Sequence, residues 1–110
     1  MTSALYKQLG GVVPGAALTN LYTVPNGVMA IVATVAVCNM GATTATFRIA
    51  VAPGGAADDP SHYLYYEATL NGYDTLMLTA GICLGPADVV RVRASTSTVT
   101  FRAWGQEFTP

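Results

Sequence analysis

Apolar and polar residues alternate along this chain in short runs, and each run ends at a turn of Gly, Pro, Asn or Asp residues. The runs return at intervals of about ten residues, which is typical of a β-sandwich or a β-barrel. No apolar pattern with the period of an amphipathic helix persists for more than one turn. The pattern therefore predicts an all-β protein without helices.

The runs predict about eight strands. They are Leu5–Leu9, Ala17–Val24, Val28–Asn39, Thr44–Val51, Tyr63–Leu70, Thr75–Ile82, Val89–Ser95 and a last strand that begins at Val99. We expect an antiparallel two-sheet β-sandwich, jelly-roll-like, that forms a single domain over residues 1–110. Glycines and a proline follow the first run, so residues 1–15 form either a short strand or an N-terminal arm. A seven-stranded immunoglobulin-like sandwich is the alternative, although its Cys…Trp…Cys spacing is absent.

The run from Val28 to Cys38 is apolar on both faces of its predicted strand. Strict alternation puts Met29, Ile31 and Val35 on one face, opposite Ala30 and Val32. A strand with water on one side normally alternates apolar and polar residues, so both faces of this strand are expected to be covered. The core of the domain can cover one face, and a neighbouring subunit is the simplest cover for the other. We therefore expect a homo-oligomer, with Met29, Ile31 and Val35 as candidate interface residues.

Composition supports assembly and argues against several classes of partner. Only 10% of the residues are charged, against about 25% in an ordinary soluble domain. The net charge of −1 provides no field that would attract nucleic acid or an anionic membrane, so we expect neither partner. The apolar run is much shorter than the roughly 20 residues of a membrane-spanning helix. The first residues lack the apolar core of a signal peptide, which predicts synthesis in a cytoplasm.

Candidate chemistry is sparse. Asp58, Asp59 and His62 lie on one loop and could bind a divalent metal, but a solvated loop explains the same residues, and we predict no metal site. With a single histidine and no glycine-rich phosphate loop, the chain offers no nucleophile–base motif. We therefore predict no enzyme activity and no cofactor. Cys38 and Cys83 are expected to be free and mostly buried.

Arginines and aromatic residues provide the remaining candidate contacts. The arginines occupy outward positions of their predicted strands, and they would form a basic stripe near Trp104 if those strands shared one sheet: Arg48, Arg91, Arg93 and Arg102. Such a stripe either contacts an acidic partner or a neighbouring subunit, or pairs with Glu67 or Glu107 on a solvated face. Tyr63, Tyr65 and Trp104 form either a platform for a carbohydrate or part of a core or interface.

Several segments form a recognisable sequence pattern. The most distinctive are Tyr22-Thr23-Val24-Pro25-Asn26-Gly27, Val37-Cys38-Asn39 and Phe47-Arg48-Ile49-Ala50-Val51, and Tyr63–Glu67, Asp74–Ile82 and Asp88–Ser95 extend the pattern. Over about residues 20 to 107 the chain resembles a group of small virion proteins of tailed bacteriophages.

The resemblance implies a structural component of a phage particle, assembled in the host cytoplasm and located in the virion. Within that class we expect a capsid decoration or cement protein, which would bind the major capsid protein or another virion protein as a homo-oligomer that we take to be a trimer. A tail, baseplate or fibre-attachment subunit is one alternative, and a carbohydrate-binding module for host attachment is another.

Overall fold

The chain folds into two antiparallel sheets of four strands each. The structure is a computed structural model that describes residues 3–109, with side chains for residues 6–79 and 81–109. The strands are β1 (Ser3–Val12), β2 (Thr19–Thr23), β3 (Met29–Asn39), β4 (Ala45–Ala52), β5 (Tyr63–Leu70), β6 (Thr75–Leu84), β7 (Val89–Ala94) and β8 (Val99–Thr109). Two 3-10 turns, Pro53–Gly55 and Pro60–His62, lie between β4 and β5. No helix in the part of the chain that the structure describes is long and apolar enough to cross a membrane.

The strand order defines a jelly roll. The first sheet has the order β1-β8-β3-β6, the second has the order β2-β7-β4-β5, and every adjacent pair is antiparallel. Eight strands in two such sheets form the double Greek key of that fold. The predicted jelly-roll-like β-sandwich is therefore confirmed, and the immunoglobulin-like alternative is wrong.

Both ends of the described chain belong to the first sheet. β1 pairs with β8 from Ser3, opposite Thr109, to Val12, opposite Phe101. Residues 3–12 are therefore a strand of the sandwich and not a detached arm, while residues 1 and 2 lie outside the described residues. The last strand, β8, begins at Val99 as predicted and continues through Gly105 to Thr109.

The core lies between the two sheets and consists of aliphatic and aromatic side chains from both. The largest fully buried ones are Phe47, Phe101, Ile49, Leu70, Val24, Val32, Val35, Val37, Val90, Val92 and Val99. Phe47 of the second sheet and Phe101 of the first meet edge to face, with ring centroids 6.1 Å apart. Such aromatic contacts add to the stabilisation that comes from removing apolar surface from water.

A β-bulge at Ala33 reverses the inward and outward positions of β3. The register shifts between Val32 and Thr34 against both neighbouring strands. Because one extra residue moves every later side chain to the opposite face, Val35 points into the core and is 1% exposed, while Ala36 lies on the outside. The predicted strict alternation was therefore wrong after the bulge, and so was Val35 as an interface residue.

Gly105 of β8 lies against this bulge. A Cβ atom at position 105 would lie 1.9 Å from the carbonyl oxygen of Ile31 and 2.9 Å from the amide nitrogen of Ala33. Neither backbone atom can move without breaking the sheet around the bulge. This position therefore requires glycine because of the close approach of two strands.

Asn39, at the end of β3, is a buried polar residue with satisfied hydrogen bonds. Its Nδ2 donates to the carbonyl oxygen of Thr43 at 2.8 Å, and its Oδ1 accepts from the amide of Gly41 at 3.0 Å and from Oγ1 of Thr98 at 2.9 Å. One side chain thus joins the loop after β3 to the turn between β7 and β8. Removing it would leave buried polar groups without partners, which is costly.

Candidate functional site

The outward surface of the first sheet, here called the outer face, is almost free of charge. The described side chains at its outward positions are Tyr6, Gln8, Met29, Ile31, Thr34, Ala36, Cys38, Thr75, Met77, Thr79, Cys83, Thr100, Arg102, Trp104, Gln106 and Phe108. Of these, only Arg102 is charged, and its Nη1 donates to Oε1 of Gln8 at 2.7 Å. A surface of this composition is weakly hydrated, which is typical of the centre of a protein–protein interface.

Apolar side chains on the outer face remain open to solvent in the single chain. Met29 is 49% exposed and Met77 is 58% exposed. Met29, Ile31, Cys83 and Phe108 line an open apolar cavity of about 180 Å³. The structure thus places the predicted interface residues Met29 and Ile31 together on one uncovered surface, whereas β3 has its other side in the core.

β6 is an edge strand of the first sheet, and its sequence, from Thr75 to Leu84, provides no charged residue or proline to protect that edge. Natural proteins usually place a lysine, a proline or a covering segment at a long exposed edge, because its free backbone groups would otherwise pair with another chain. The edge of β6 therefore extends the outer face as a surface suited to association.

The four arginines lie on both sheets. Arg48 on β4 and Arg91 and Arg93 on β7 belong to the second sheet, while Arg102 and Trp104 belong to the first. The predicted basic stripe with Trp104 nearby is therefore wrong. Trp104 is half-buried and lies on the outer face, where it pairs with Thr34 of β3.

Glu67 forms ion pairs with two of the arginines of the second sheet. Arg48 and Arg93 are directly opposite each other across β4 and β7. Arg48 Nε donates to Oε1 of Glu67, and Arg93 Nη1 donates to the same oxygen at 3.4 Å. These interactions, the hydrogen bond from Arg48 first, lower the pKa of Glu67. The predicted pairing of arginines with Glu67 is thus present for Arg48 and Arg93.

A distorted backbone brings Glu67 to this position. Its φ is 53°, a value that non-glycine residues rarely adopt. The register between β4 and β5 shifts on both sides of Ile49, so that Tyr66 and Glu67 together lie opposite Arg48. Strained backbone of this kind concentrates at functional sites.

Arg91 attaches the exposed loop from Pro53 to His62 to the sheet. Its Nη1 donates to the carbonyl oxygen of Ala56 at 2.6 Å, its Nη2 to that of Gly55 at 3.2 Å, and its Nε to Oδ1 of Asn20 at 3.1 Å. All three nitrogens of this guanidinium therefore bond within the chain. Arg91 has a structural role that its outward position did not predict.

A second surface feature lies beside this loop, at the edge of the second sheet. It is a cavity of about 520 Å³, here called the aromatic groove, lined by Arg48, Asp58, Pro60, Tyr63 and Tyr66. The rings of Tyr63 and Tyr66 are perpendicular, with centroids 5.1 Å apart. The Arg48 Cζ lies 4.1 Å from the centroid of the Tyr66 ring, and the Tyr63 hydroxyl donates to Oδ2 of Asp58 at 3.1 Å. Burial, followed by the interaction with Asp58, raises the pKa of Tyr63.

Tyr63 and Tyr65, which the sequence analysis grouped, point to opposite sides of the second sheet. Tyr65 points inward and packs its ring against Phe47, with centroids 6.0 Å apart, so it belongs to the edge of the core. Tyr66, which strict alternation placed on the face opposite Tyr63, shares the groove with it. The irregular register of β5 causes this exchange, and nothing in the residue types reveals it.

The remaining candidates from the sequence form no site. Within the described residues, no three side chains of His, Cys, Asp and Glu come together in a way that could hold a metal ion. Asp59 caps the turn that follows it, since its Oδ1 accepts from the amide and the hydroxyl of Ser61. Cys38 is half-buried and Cys83 is exposed, and both are free, so the expected burial was wrong for Cys83.

Comparison with known proteins assigns no family to this chain. It matches no protein-family model, and it matches no curated protein. The jelly roll alone does not assign a function either, because viral capsid proteins, lectins and cupins share it. The function therefore has to be argued from the outer face and the aromatic groove.

Proposed function

We propose that this chain is a structural protein of a tailed-phage particle, and specifically a capsid decoration or cement protein that assembles through its outer face. The observation that carries the proposal is the composition of that face, on which Arg102 is the only charged residue among the described outward positions. The proposal also rests on the resemblance of the sequence to small phage virion proteins.

The outer face is suited to a sister chain. Met29, Ile31 and Phe108 line an apolar cavity at one end of the face, and the threonines and glutamines farther along the face can form hydrogen bonds. Apolar contacts combined with a modest number of hydrogen bonds are usual in a specific interface. The form that we propose is a closed cyclic trimer, in which each copy would present one part of this face to one neighbour and a different part to the other.

A protein of this kind would stabilise the head by mass action. Each copy contributes a modest interface to the major capsid protein, and only the assembled shell presents the complete set of contacts. Several linked interfaces within one oligomer strengthen this binding beyond that of a single copy. A tail, baseplate or fibre-attachment subunit is the alternative within the same class, and it would use the outer face in the same way.

The assembly step is tested by the molar mass of the protein in solution, measured by size-exclusion chromatography with light scattering. We expect the wild type to be an oligomer and the double variant Met29→Lys, Met77→Lys to be a folded monomer, since charges would be buried without partners in the interface. Leu64→Lys is the matched control, because Leu64 is 52% exposed but lies on the second sheet. A monomeric wild type, or a double variant with the mass of the wild type, would refute assembly through this face.

The location is tested on purified particles of the phage that encodes the chain. Immunogold electron microscopy should label the heads, and particles that lack the protein should release DNA at a lower temperature than wild-type particles. Labelling of tails would overturn the decoration-protein assignment and support a tail, baseplate or fibre-attachment subunit instead. Absence of the protein from purified particles would overturn the virion assignment altogether.

A further inference from the structure

We propose that the aromatic groove at the edge of the second sheet is a binding site for a neutral sugar, of the size of a pyranose ring or a short glycan. The groove lies on the sheet opposite the outer face, so both surfaces can be occupied at once. This inference goes beyond the proposed function and does not depend on it.

The shape of the groove fits a ring-sized polar ligand. Its volume of about 520 Å³ lies within the range of small-molecule sites, which is about 300–1,000 Å³. Tyr63 and Tyr66 form two walls at right angles, and the ring of Pro60 adds a further apolar surface. Tyr66 stays 60% exposed, so its ring remains available to a ligand. The C–H face of a pyranose is apolar and packs well on such a wall, which removes apolar surface of both partners from water.

The polar groups of the groove complement sugar hydroxyls. A hydroxyl both donates and accepts hydrogen bonds, so a sugar needs acceptors and donors at close range. The Asp58 carboxylate offers acceptors, and the Arg48 guanidinium offers donors in a fixed fork. Both groups are held before any ligand arrives, Asp58 by the hydroxyl of Tyr63 and Arg48 by Glu67. Such preorganisation reduces the entropic cost of binding.

The charge around the groove favours a neutral ligand over an anion. Two arginines, Arg48 and Arg93, are balanced by two carboxylates, those of Glu67 and Asp58. An anion would have to compete with Glu67 for Arg48 and would be repelled by Asp58. The strained backbone of Glu67 places that counter-charge directly beside the groove, so the neutralisation is built into the local fold.

The test is saturation-transfer NMR and titration calorimetry of the full chain with three probes, the methyl glycosides of glucose, galactose and mannose. We expect at least one of them to bind with millimolar affinity. Tyr66→Ala should weaken that binding by about tenfold through loss of the stacking wall. Asp58→Asn should weaken it several-fold, because the charge is lost and one of the two acceptor oxygens becomes a donor, while the shape of the side chain is kept.

Tyr73→Ala is the matched control, since Tyr73 is an exposed tyrosine in the turn between β5 and β6 and is 76% exposed. It should bind the glycoside as the wild type does. Far-ultraviolet circular dichroism of each variant separates loss of binding from loss of fold. Absence of binding of all three glycosides at tens of millimolar, or equal binding by wild type and Tyr66→Ala, overturns the proposal. N-acetylneuraminic acid is titrated beside them as an anionic comparison, and if it binds more tightly than every neutral glycoside, the assignment of a neutral ligand is overturned.

Discussion

Tyr22 on β2 donates its phenolic hydrogen to Oε2 of Glu107 on β8, with 2.5 Å between the two oxygens. This hydrogen bond links the second sheet to the first, and Lys7 on β1 adds an ion pair at 2.9 Å to the other carboxylate oxygen. Burial, and then the hydrogen bond to Glu107, raise the pKa of Tyr22. The same bond, together with Lys7, lowers the pKa of Glu107. One carboxylate thus fastens three strands at one end of the sandwich.

The lowered pKa of Glu107 predicts a pH-dependent stability. A carboxylate whose pKa is lower in the folded than in the unfolded state contributes fully above the unfolded value of about 4.3, and the contribution is lost as the pH falls through the folded value. Glu107→Gln should therefore reduce the free energy of unfolding by about 1–2 kcal/mol at neutral pH. Denaturant melts of both proteins should show this difference shrinking as the pH falls below about 4.3 and through the lowered pKa of Glu107.

Tyr22→Phe is the matched control for that prediction, since it removes the same hydrogen bond from the other side. It should raise the pKa of Glu107, so that the free energy of unfolding of this variant changes less with pH in the acid range than that of the wild type. A difference between wild type and Glu107→Gln that stays constant with pH would contradict the role of the carboxylate.

The bulge in β3 predicts opposite outcomes for two neighbouring positions. Val35→Asp places an unpaired charge in the core, where Val35 is 1% exposed, and should prevent folding. Ala36→Asp places the same charge outside, in register with Arg102, and should leave a soluble folded chain. Soluble expression and circular dichroism distinguish the two. A folded Val35→Asp with an unfolded Ala36→Asp would mean that the strand alternates without the bulge.

The close approach at Gly105 predicts a large effect of one methyl group. Gly105→Ala should destabilise the fold by about 1–3 kcal/mol or abolish it, because its Cβ would overlap the Ile31 carbonyl. Gly85→Ala is the control, since a Cβ there would meet only Oδ2 of Asp88, at 3.7 Å, and should change stability by less than about 0.5 kcal/mol. Thermal melts measure both variants. Equal stability of the two would mean that β8 and β3 lie farther apart.

The three hydrogen bonds of the Arg91 guanidinium predict that replacing it affects the loop from Pro53 to His62 more than the rest of the fold. Arg91→Lys keeps the charge but cannot reach the carbonyl oxygens of Gly55 and Ala56 and the Asn20 amide together. Hydrogen exchange and proteolytic cleavage in residues 53–62 should accelerate, with a small change in the global melting temperature. Arg102→Lys, on the other sheet, should leave this loop unchanged. An unaltered exchange rate in Arg91→Lys would show that the loop does not depend on the guanidinium.

Strand positions could be predicted because they depend on local signals. Turns such as Pro25-Asn26-Gly27 mark where strands end, and the alternation between turns marks where they run. β5, from Tyr63 to Leu70, agrees residue for residue with its prediction. The number and spacing of the runs favour a two-sheet sandwich of about eight strands, whereas the strand order that makes it a jelly roll is set by contacts between residues distant in sequence.

Whether a side chain points into the core or outward could not be predicted beyond a bulge. An inserted residue such as Ala33 has no distinctive side chain, yet it exchanges the inward and outward faces of all that follow it. The same effect in β5 moved Tyr65 toward the core and Tyr66 into the groove. The sheet to which each arginine belongs depends on strand order, which local sequence does not encode. The groove itself arises from a loop and two strands that meet only in the folded chain.

The position of β8 between β1 and β3 has a consequence for the order of folding. β8 is the last strand of the described chain to leave the ribosome, and it pairs on one side with β1, where Thr109 lies opposite Ser3. Contacts between residues so distant in sequence form slowly, and sandwiches of this kind fold in milliseconds to seconds. Until β8 inserts, the first sheet has a gap at its centre, and the outer face does not exist. Assembly therefore has to wait for the synthesis of β8, because only a chain that contains this strand can offer the surface through which we propose that it assembles.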